Sequence, residues 1–518
     1  MRKTLTIAVF FSGMASLGIE MAASRLLGNV FGTSNLVWAS IIGLILIYLA
    51  VGYFIGGRWA DRSPHMETFF KILTWAAIST AVVPVLSRPV LRLAANAFDQ
   101  LQLGILLGSF TSVLILLVIP MILLGTASPF AIRLAVHDSA NIGQTSGRIY
   151  AISTLGSFIG TFLPVLLLIP TLGTYRTFLF FSGILLVVGL TGLYLHAGAR
   201  KILPFLWAPL LIIFLWVWGL PGGAKNTPGM VYETESAYNY IQVLEYDGYH
   251  YLRLNEGQGV HSVYHPTELN YYGPWEQVLV APFFNPAPVN TADIRSLAIV
   301  GLAAGTTARQ ASIVYPNIHI DGIEIDPKIV EVGRKYFDMN QPNLNVIVQD
   351  GRWALAHSDQ QYQIISIDAY RPPYIPAHLT SQEFFTTVRE HLTADGVMVI
   401  NVGRGPDDRR LIDALSTTIL TVFPTIHIVD IPGSFNSILF ATVQPTAPEN
   451  LAANYLNLIQ QDSSANPLLL RSIEVAAAQL QPQPQVSLVF TDDKAPIEWM
   501  TNNMVIQFLL SGNKEMLQ

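Results

Sequence analysis

Residues 297–307 read Leu297-Ala298-Ile299-Val300-Gly301-Leu302-Ala303-Ala304-Gly305-Thr306-Thr307. Four apolar residues in a row predict a short buried strand, and the glycines after them predict a tight turn into a helix. Downstream, the stretch 318–325 forms a second strand and runs into Gly322-Ile323-Glu324-Ile325-Asp326-Pro327. A helix over 328–336 leads to a strand at 345–348, closed by Asp350-Gly351. A strand at 364–367 ends in Asp368, and a helix over 381–392 precedes a fifth strand at 397–402. Strands alternating with helices predict a parallel, doubly wound α/β sheet.

In such a sheet the ligand sits at the carboxyl ends of the strands, at the switch point. The turn at Gly301, Ala303 and Gly305 lets the backbone approach a ligand closely. Glu324 offers two oxygens to a pair of ribose hydroxyls. Asp350, followed by Gly351, is placed to take an adenine amino group, and Asp368 faces the same crevice. Asp326 before Pro327 fits a helix cap instead. The turn has neither the G-x-G-x-x-G spacing of a dinucleotide site nor a Gly-Lys-Ser/Thr phosphate loop. A nucleoside with a small tail, such as S-adenosylmethionine or its decarboxylated form, fits better.

The other part of the chain has a different composition. Over the 518 residues, hydrophobic side chains make up 51% and charged ones 12%, against about 25% charged in soluble domains. Residues 1–220 carry 13 Lys and Arg against 5 Asp and Glu, a balance of +8, while 221–518 carry 16 against 30, a balance of −14. The acidic half argues against nucleic acid as a ligand, and it suits a cationic small substrate or simple solubility. With no cysteine, disulfides, thiolate nucleophiles and cysteine-based metal sites are excluded, and no metal is expected.

A membrane-spanning helix needs about 20 mostly apolar residues. Seven candidates occur near 4–24, 36–57, 70–87, 103–124, 149–170, 177–197 and 202–220. If spans alternate, Arg2, Lys3, Arg58, Arg62, Lys71, Arg133, Arg148, Arg200 and Lys201 fall on one side, and Arg25, Arg88, Arg92 and Arg176 on the other. The richer side is the cytoplasmic one. Seven spans then put the following domain outside, whereas a cytosolic cofactor asks for it inside. Either the span count is off by one, at 126–136 or at the weak third span, or the charge bias misleads here. Glu20 within the first span is a functional candidate, or an interfacial acid paired with Arg25 or a neighbouring helix. Gly52, Gly56, Gly57, Gly156 and Gly160 suggest close helix packing.

Residues 221–229 (PGGAKNTPG) form a breaker cluster and a linker. After it, 231–235, 240–245 and 249–254 alternate as strands, with a turn at Asp247-Gly248. The organisation read here is a transmembrane domain at 1–220, a linker at 221–229, a small antiparallel β unit at 230–290 and an α/β domain at 291–518.

The run 230–405 resembles the spermidine synthase family of polyamine aminopropyltransferases. The resemblance rests on T-E-S-A-Y-N-Y-I at 234–241, the turn at 301–306, G-I-E-I-D at 322–326, R-K-Y-F at 334–337, Asp350-Gly351 and the strand ending at Asp368. The first span, GGRWADR at 56–62 and T-D-D-K-A-P-I-E at 491–498 are similar to its membrane-fused branch. The resemblance implies a Rossmann-like, methyltransferase-type domain that binds decarboxylated S-adenosylmethionine, or S-adenosylmethionine, as co-substrate and transfers an aminopropyl group to an amine. Glu324 and the glycine turn would hold the nucleoside, Asp350 the adenine, and Asp368 would be catalytic. Gln258, His261, Tyr271, Tyr272 and Tyr370 are candidates to line the substrate pocket.

The chain departs from the family at three places. Ala303 stands where the family keeps an Asp for the ligand's amino group. Arg371 stands where it keeps the base that deprotonates the attacking amine, and an Arg there would repel a diamine. Asn239 replaces a Gln of the first hairpin. These departures favour an alternative, a non-catalytic nucleoside- or polyamine-binding transporter or sensor with a degenerate synthase domain. A purely structural membrane scaffold is a third reading. The expected setting is a multi-pass protein of the cell membrane with its soluble domain on the cytoplasmic side, although the loop charges with seven spans argue otherwise. The bilayer and a small amine are the expected partners, with room for a homodimer through the soluble domain.

Overall fold

The computed structural model describes residues 2–31, 35–101, 105–136, 142–219, 227–255, 259–370, 375–461 and 465–510. Residues 221–226 of the linker, Gln258 and Arg371 lie outside them. The chain divides into two compact units. One comprises Met1–Asn226 with Glu235–Tyr240, the other Thr227–Thr234 with Ile241–Gln518.

The first unit is helical. Its elements are α1 (Arg2–Phe31), α2 (Asn35–Arg62), α3 (Met66–Leu101), α4 (Ile105–Ala135), α5 (Ile142–Leu163), α6 (Ile169–Leu172), α7 (Thr174–Ala197) and α8 (Trp207–Trp218). Between α5 and α6, Pro164–Leu168 form a π-helical turn. Among the described residues six helices are long and apolar enough to cross a membrane, and the bent pair Ala199–Phe205 plus Trp207–Trp218 makes up to seven. The segment 126–135 is the end of α4 rather than an extra span, and the third span is a full one over Met66–Ser87.

Small residues let these helices touch backbone to backbone. A Cβ added at Gly156 would lie 2.0 Å from the Phe10 carbonyl oxygen, and one at Gly160 2.1 Å from that of Met14. Gly52 meets α4 in the same way, 2.4 Å from the Ile122 oxygen, whereas Gly57 faces open space. Buried Ser182 donates to the Ala77 carbonyl at 2.7 Å, since a hydroxyl in hydrocarbon must find a partner. Glu20 is 9% exposed. The Arg25 guanidinium donates to the carbonyl oxygens of Ser236 and Tyr238, each at 3.0 Å.

The second unit opens with a four-stranded sheet in the order β1-β2-β3-β4: β1 (Met230–Glu235), β2 (Tyr240–Tyr246), β3 (Tyr249–Leu254) and β4 (Val260–Tyr264). β4 lies beyond the strands expected from sequence. A 3₁₀ stretch, Glu276–Phe284, follows.

The main sheet has seven strands in the order β10-β11-β9-β8-β5-β6-β7. They are β5 (Ser296–Val300), β6 (His319–Glu324), β7 (Leu344–Val348), β8 (Tyr362–Ile367), β9 (Leu392–Gly403), β10 (Thr425–Asp430) and β11 (Asn436–Thr442). The helices are α9 (Thr306–Val314), α10 (Pro327–Tyr336), α11 (Gly351–Ala356), α12 (Gln382–Glu390), α13 (Arg410–Leu420), α14 (Glu449–Gln461), α15 (Pro467–Ala478) and α16 (Ile497–Leu510). β5 pairs in parallel with β6 on one side and β8 on the other. The five strands expected from sequence, β5 to β9, pair in parallel, and the sheet as a whole is mixed because β11 runs antiparallel between β9 and β10.

Along β5, Leu297 and Ile299 join one buried cluster and Ala298 and Val300 the other. Alternation thus buries both faces of the strand, which explains its unbroken apolar run. The chain winds from β5 outward to β7, then returns across β5 to β8. The switch point therefore lies between β5 and β8.

Candidate functional site

The carboxyl ends of β5, β6 and β8 are tied together by main-chain hydrogen bonds. The amides of Gly301 and Leu302 both donate to the Ile323 carbonyl at 2.9 Å, and the Asp368 amide donates to that of Val300 at 2.9 Å. Gly301 has φ +92, and a Cβ there would lie 2.5 Å from the Asp368 carbonyl oxygen. Only glycine permits that approach. Ala303 adopts the left-handed region at φ +50 without being glycine.

Glu324 ends β6 and is buried. Its Oε2 accepts from the Ala303 amide at 2.9 Å and its Oε1 from the Asp326 amide at 3.0 Å. Burial nevertheless dominates and pushes the carboxyl up to about 7. A carboxylate offers about four acceptor sites in all, so acceptor capacity remains beyond these amides. Asp326 serves as the N-cap of α10, accepting from the Lys328 amide at 3.0 Å, so it belongs to the helix and not to the ligand.

Asp368 ends β8. It accepts from Nδ2 of Asn401, on β9, at 2.9 Å. Burial pushes its carboxyl up to about 6, against the lowering effect of the Asn401 bond. Asn401 is 8% exposed, and its Oδ1 has no hydrogen-bond partner. Tyr370 sits beside this pair. Its hydroxyl donates to the Asn401 carbonyl at 3.0 Å and accepts from the Gly403 amide at 2.7 Å. Burial raises the Tyr370 pKa far above the usual tyrosine value. The hydroxyl is thus engaged by the main chain, which makes Tyr370 a brace between the ends of β8 and β9.

Asp350 caps α11, with Oδ1 accepting from the Trp353 amide at 3.0 Å, and Oδ2 lies 3.2 Å from His378 Nε2. Gly351 leaves room for Val300, whose Cγ1 would be 2.4 Å from an added Cβ. Next to it, Arg352 clamps Asp492 with two bonds of 2.7 and 2.8 Å, and Ser381 donates to Asp492 at 2.5 Å. Arg352 holds the Asp492 carboxyl down at about 2. The near-terminal T-D-D-K-A-P-I-E run is therefore an anchor for the segment that carries Asp350.

The small sheet covers the glycine turn. Ile241, Val243, Leu252 and Leu254 cluster with Ala304 and with Ile329 and Val332 of α10. Ser262 accepts from the Ala304 amide at 2.9 Å, and Thr306 exchanges two 2.9 Å bonds with the Val263 main chain. His261 immediately precedes Ser262 in sequence. Burial pushes its imidazole down to about 4, and Nε2 is buried without a partner. Tyr272 is 74% exposed with φ +56, and nothing in the structure brings it to the other candidates. Tyr271 donates to the Glu268 carbonyl at 2.9 Å and braces the loop after β4.

The structure thus brings Gly301, Ala303, Glu324, Asp368 and Tyr370 to one switch point, with Asp350 on the next strand end. Sequence reasoning missed Asn401, Ser262 and His378. Asn401 left a signal, since it is the one polar residue in Val397-Met398-Val399-Ile400-Asn401-Val402. Among the described residues no group of His, Asp and Glu is arranged to hold a metal ion.

Three comparisons bear on this chain. The family described as "Spermine/spermidine synthase domain" matches residues 288–451. A probable polyamine aminopropyl transferase of Bifidobacterium longum is 33% identical over 328 residues, which cover 61% of this chain and 72% of the relative. The polyamine aminopropyltransferase of Vibrio vulnificus is 26% identical over 273 residues, 51% of this chain and 85% of the relative. Among solved structures, a probable spermidine synthase from Corynebacterium glutamicum matches with 17% identity and a TM-score of 0.38, covering 51% of this chain and all of that one.

Proposed function

The chain belongs to the polyamine aminopropyltransferase family, and from that premise we propose that its α/β unit binds decarboxylated S-adenosylmethionine and transfers the aminopropyl group to an amine. The observation that carries the reading is the pair of strand-end carboxylates, buried Glu324 and half-buried Asp368, at the turn around Gly301.

Glu324 would accept the ribose hydroxyls through the lone pairs left free by Ala303 and Asp326. Asp350 and Gly351 would border the adenine. The acceptor amine would sit against Asp368, with the open Oδ1 of Asn401 as a further acceptor for its N–H. His261 would line the acceptor side. In the step itself the amine nitrogen attacks the propyl carbon next to the sulfonium. The C–S bond breaks, the sulfonium becomes a neutral thioether, and the amine proton passes to Asp368. A carboxyl raised to about 6 is ionised at neutral pH and close enough to that pH to serve as base.

The test is direct. Protein purified from membranes is incubated with decarboxylated S-adenosylmethionine and a panel of amines, and methylthioadenosine is measured by mass spectrometry. The reading expects its formation with at least one diamine or polyamine and loss of most of it in Asp368→Asn. Nucleoside binding without methylthioadenosine from any amine would overturn turnover and leave the binding module.

A further inference from the structure

We infer that the chain crosses the membrane seven times and that the transferase works on the non-cytoplasmic face, so its nucleoside co-substrate must be delivered there by a translocation step. The supply clause rests on the proposed function; the topology does not.

The first unit marks its own two faces. Thr4 near the start of α1 lies 3.0 Å from His196 near the end of α7. The ends of α2 and α4 share this face, where Arg133 pairs with Asp61 at 3.0 Å. The start of α3 is there too, because Lys201 just after α7 pairs with Glu67 at 2.8 Å. The opposite face holds the end of α1 and the start of α7.

The chain then travels from the first face to the second. Lys201 is level with Glu67, but Phe205 packs edge-on against Trp75, 5.8 Å between ring centres. The segment from Ala199 to Phe205, in 3₁₀ turns, covers about 14 Å. The 12 residues of α8 add about 18 Å. The total, about 30 Å, is the hydrocarbon thickness of a bilayer. Ala208, Ile212 and Leu215 pack into the same core as the other helices. The bent segment 199–218 is therefore a full crossing.

The chain reappears where that crossing ends. Glu235 accepts from the amide and hydroxyl of Thr174 at 3.2 and 2.6 Å, capping the start of α7. Arg25, near the end of α1, holds the carbonyls of Ser236 and Tyr238. A carboxylate at a helix N-terminus is favoured by the free amides there. All these contacts lie on the face opposite the N-terminus.

Charge orients the bundle. Arg2, Lys3, Arg58, Arg62, Lys71, Arg133, Arg148, Arg200 and Lys201 belong to the N-terminal face, against Arg25, Arg88, Arg92 and Arg176 on the other. Cations gather in the cytoplasm, so the N-terminus is inside and the α/β unit outside. A polyamine made there is released outside the cytoplasm.

The chain has no native cysteine, which allows single-cysteine labelling of the full protein in cells. Asp359→Cys and Glu390→Cys place exposed thiols on the α/β unit, and Pro64→Cys places one between α2 and α3. A membrane-impermeant maleimide should label the first two in intact cells and Pro64→Cys only after the membrane is permeabilised. Labelling all three after permeabilisation establishes that each thiol is accessible. Thiols at 359 and 390 that react only after permeabilisation, or a thiol at 64 that reacts in intact cells, would overturn the topology. Neither outcome depends on methylthioadenosine formation, so the two readings fail separately.

Discussion

Asn401 donates a 2.9 Å hydrogen bond to Asp368 across the seam between β9 and β8, and its own Oδ1 is left buried and open. The pair gives the strand-end carboxylate a fixed orientation and holds its pKa below the value burial alone would set. Removing the donor should act on the acid before it acts on the fold. In Asn401→Ala the acidic limb of the kcat/KM profile, with its inflection at about 6 in the parent, should move up. A hydrogen bond to a charged group contributes about 1.5 kcal/mol, which corresponds to about one pH unit. A lower rate with an unmoved inflection would assign Asn401 a structural role only.

Glu324 links protons to both stability and binding. Its folded pKa of about 7 lies above the ordinary 4.5. The fold therefore favours the protonated form, and the unliganded protein loses stability as pH rises from 4.5 through 7. The full effect is on the order of 3 kcal/mol. A ligand that donates hydroxyls to the carboxylate has the opposite dependence. Its affinity should rise about tenfold per pH unit below 7 and level off above. Calorimetric titration of methylthioadenosine at several pH values checks this, and a flat profile would contradict it.

Asp492 holds Arg352 and Ser381 beside the strand end that carries Asp350. The carboxylate is 44% exposed, so solvent weakens the pair. Asp492→Ala should cost about 1 kcal/mol, a fall of about 2–4 °C in the melting temperature of the α/β unit. Adenosine-containing ligands should bind more weakly as Asp350 loosens. Unchanged melting would show that the T-D-D-K run is not an anchor.

The helical unit depends on close contact at Gly156. Gly156→Leu must push α5 away from the Phe10 carbonyl, whereas Gly57→Leu enters open space. The first variant should be lost from the monodisperse peak in detergent, and the second should behave like the parent. Equal recovery of both would contradict the packing.

Much of this was legible in the chain. Strands ending in Glu324, Asp350 and Asp368 are apolar runs closed by an acid, a pattern that local chemistry sets. The strands after 405 are less legible, because β10 closes with Asp430 just as the earlier strands close with an acid, yet it pairs antiparallel with β11. Their antiparallel pairing is a tertiary choice that no short window carries. Asp492 as an anchor depends on Arg352 and Ser381, far away in sequence. Tyr370 looked like a pocket residue until its hydroxyl was found between Asn401 and Gly403.

The central claim is that the switch point at Gly301 and Glu324 holds an adenosyl thioether. Isothermal titration of methylthioadenosine at pH 8 into the parent and Glu324→Gln tests it most directly. The account predicts saturable binding to the parent and at least about tenfold weaker binding to the variant, the loss of one charge-assisted hydrogen bond or more. Equal affinity in the two proteins, or no heat with the parent, would contradict it.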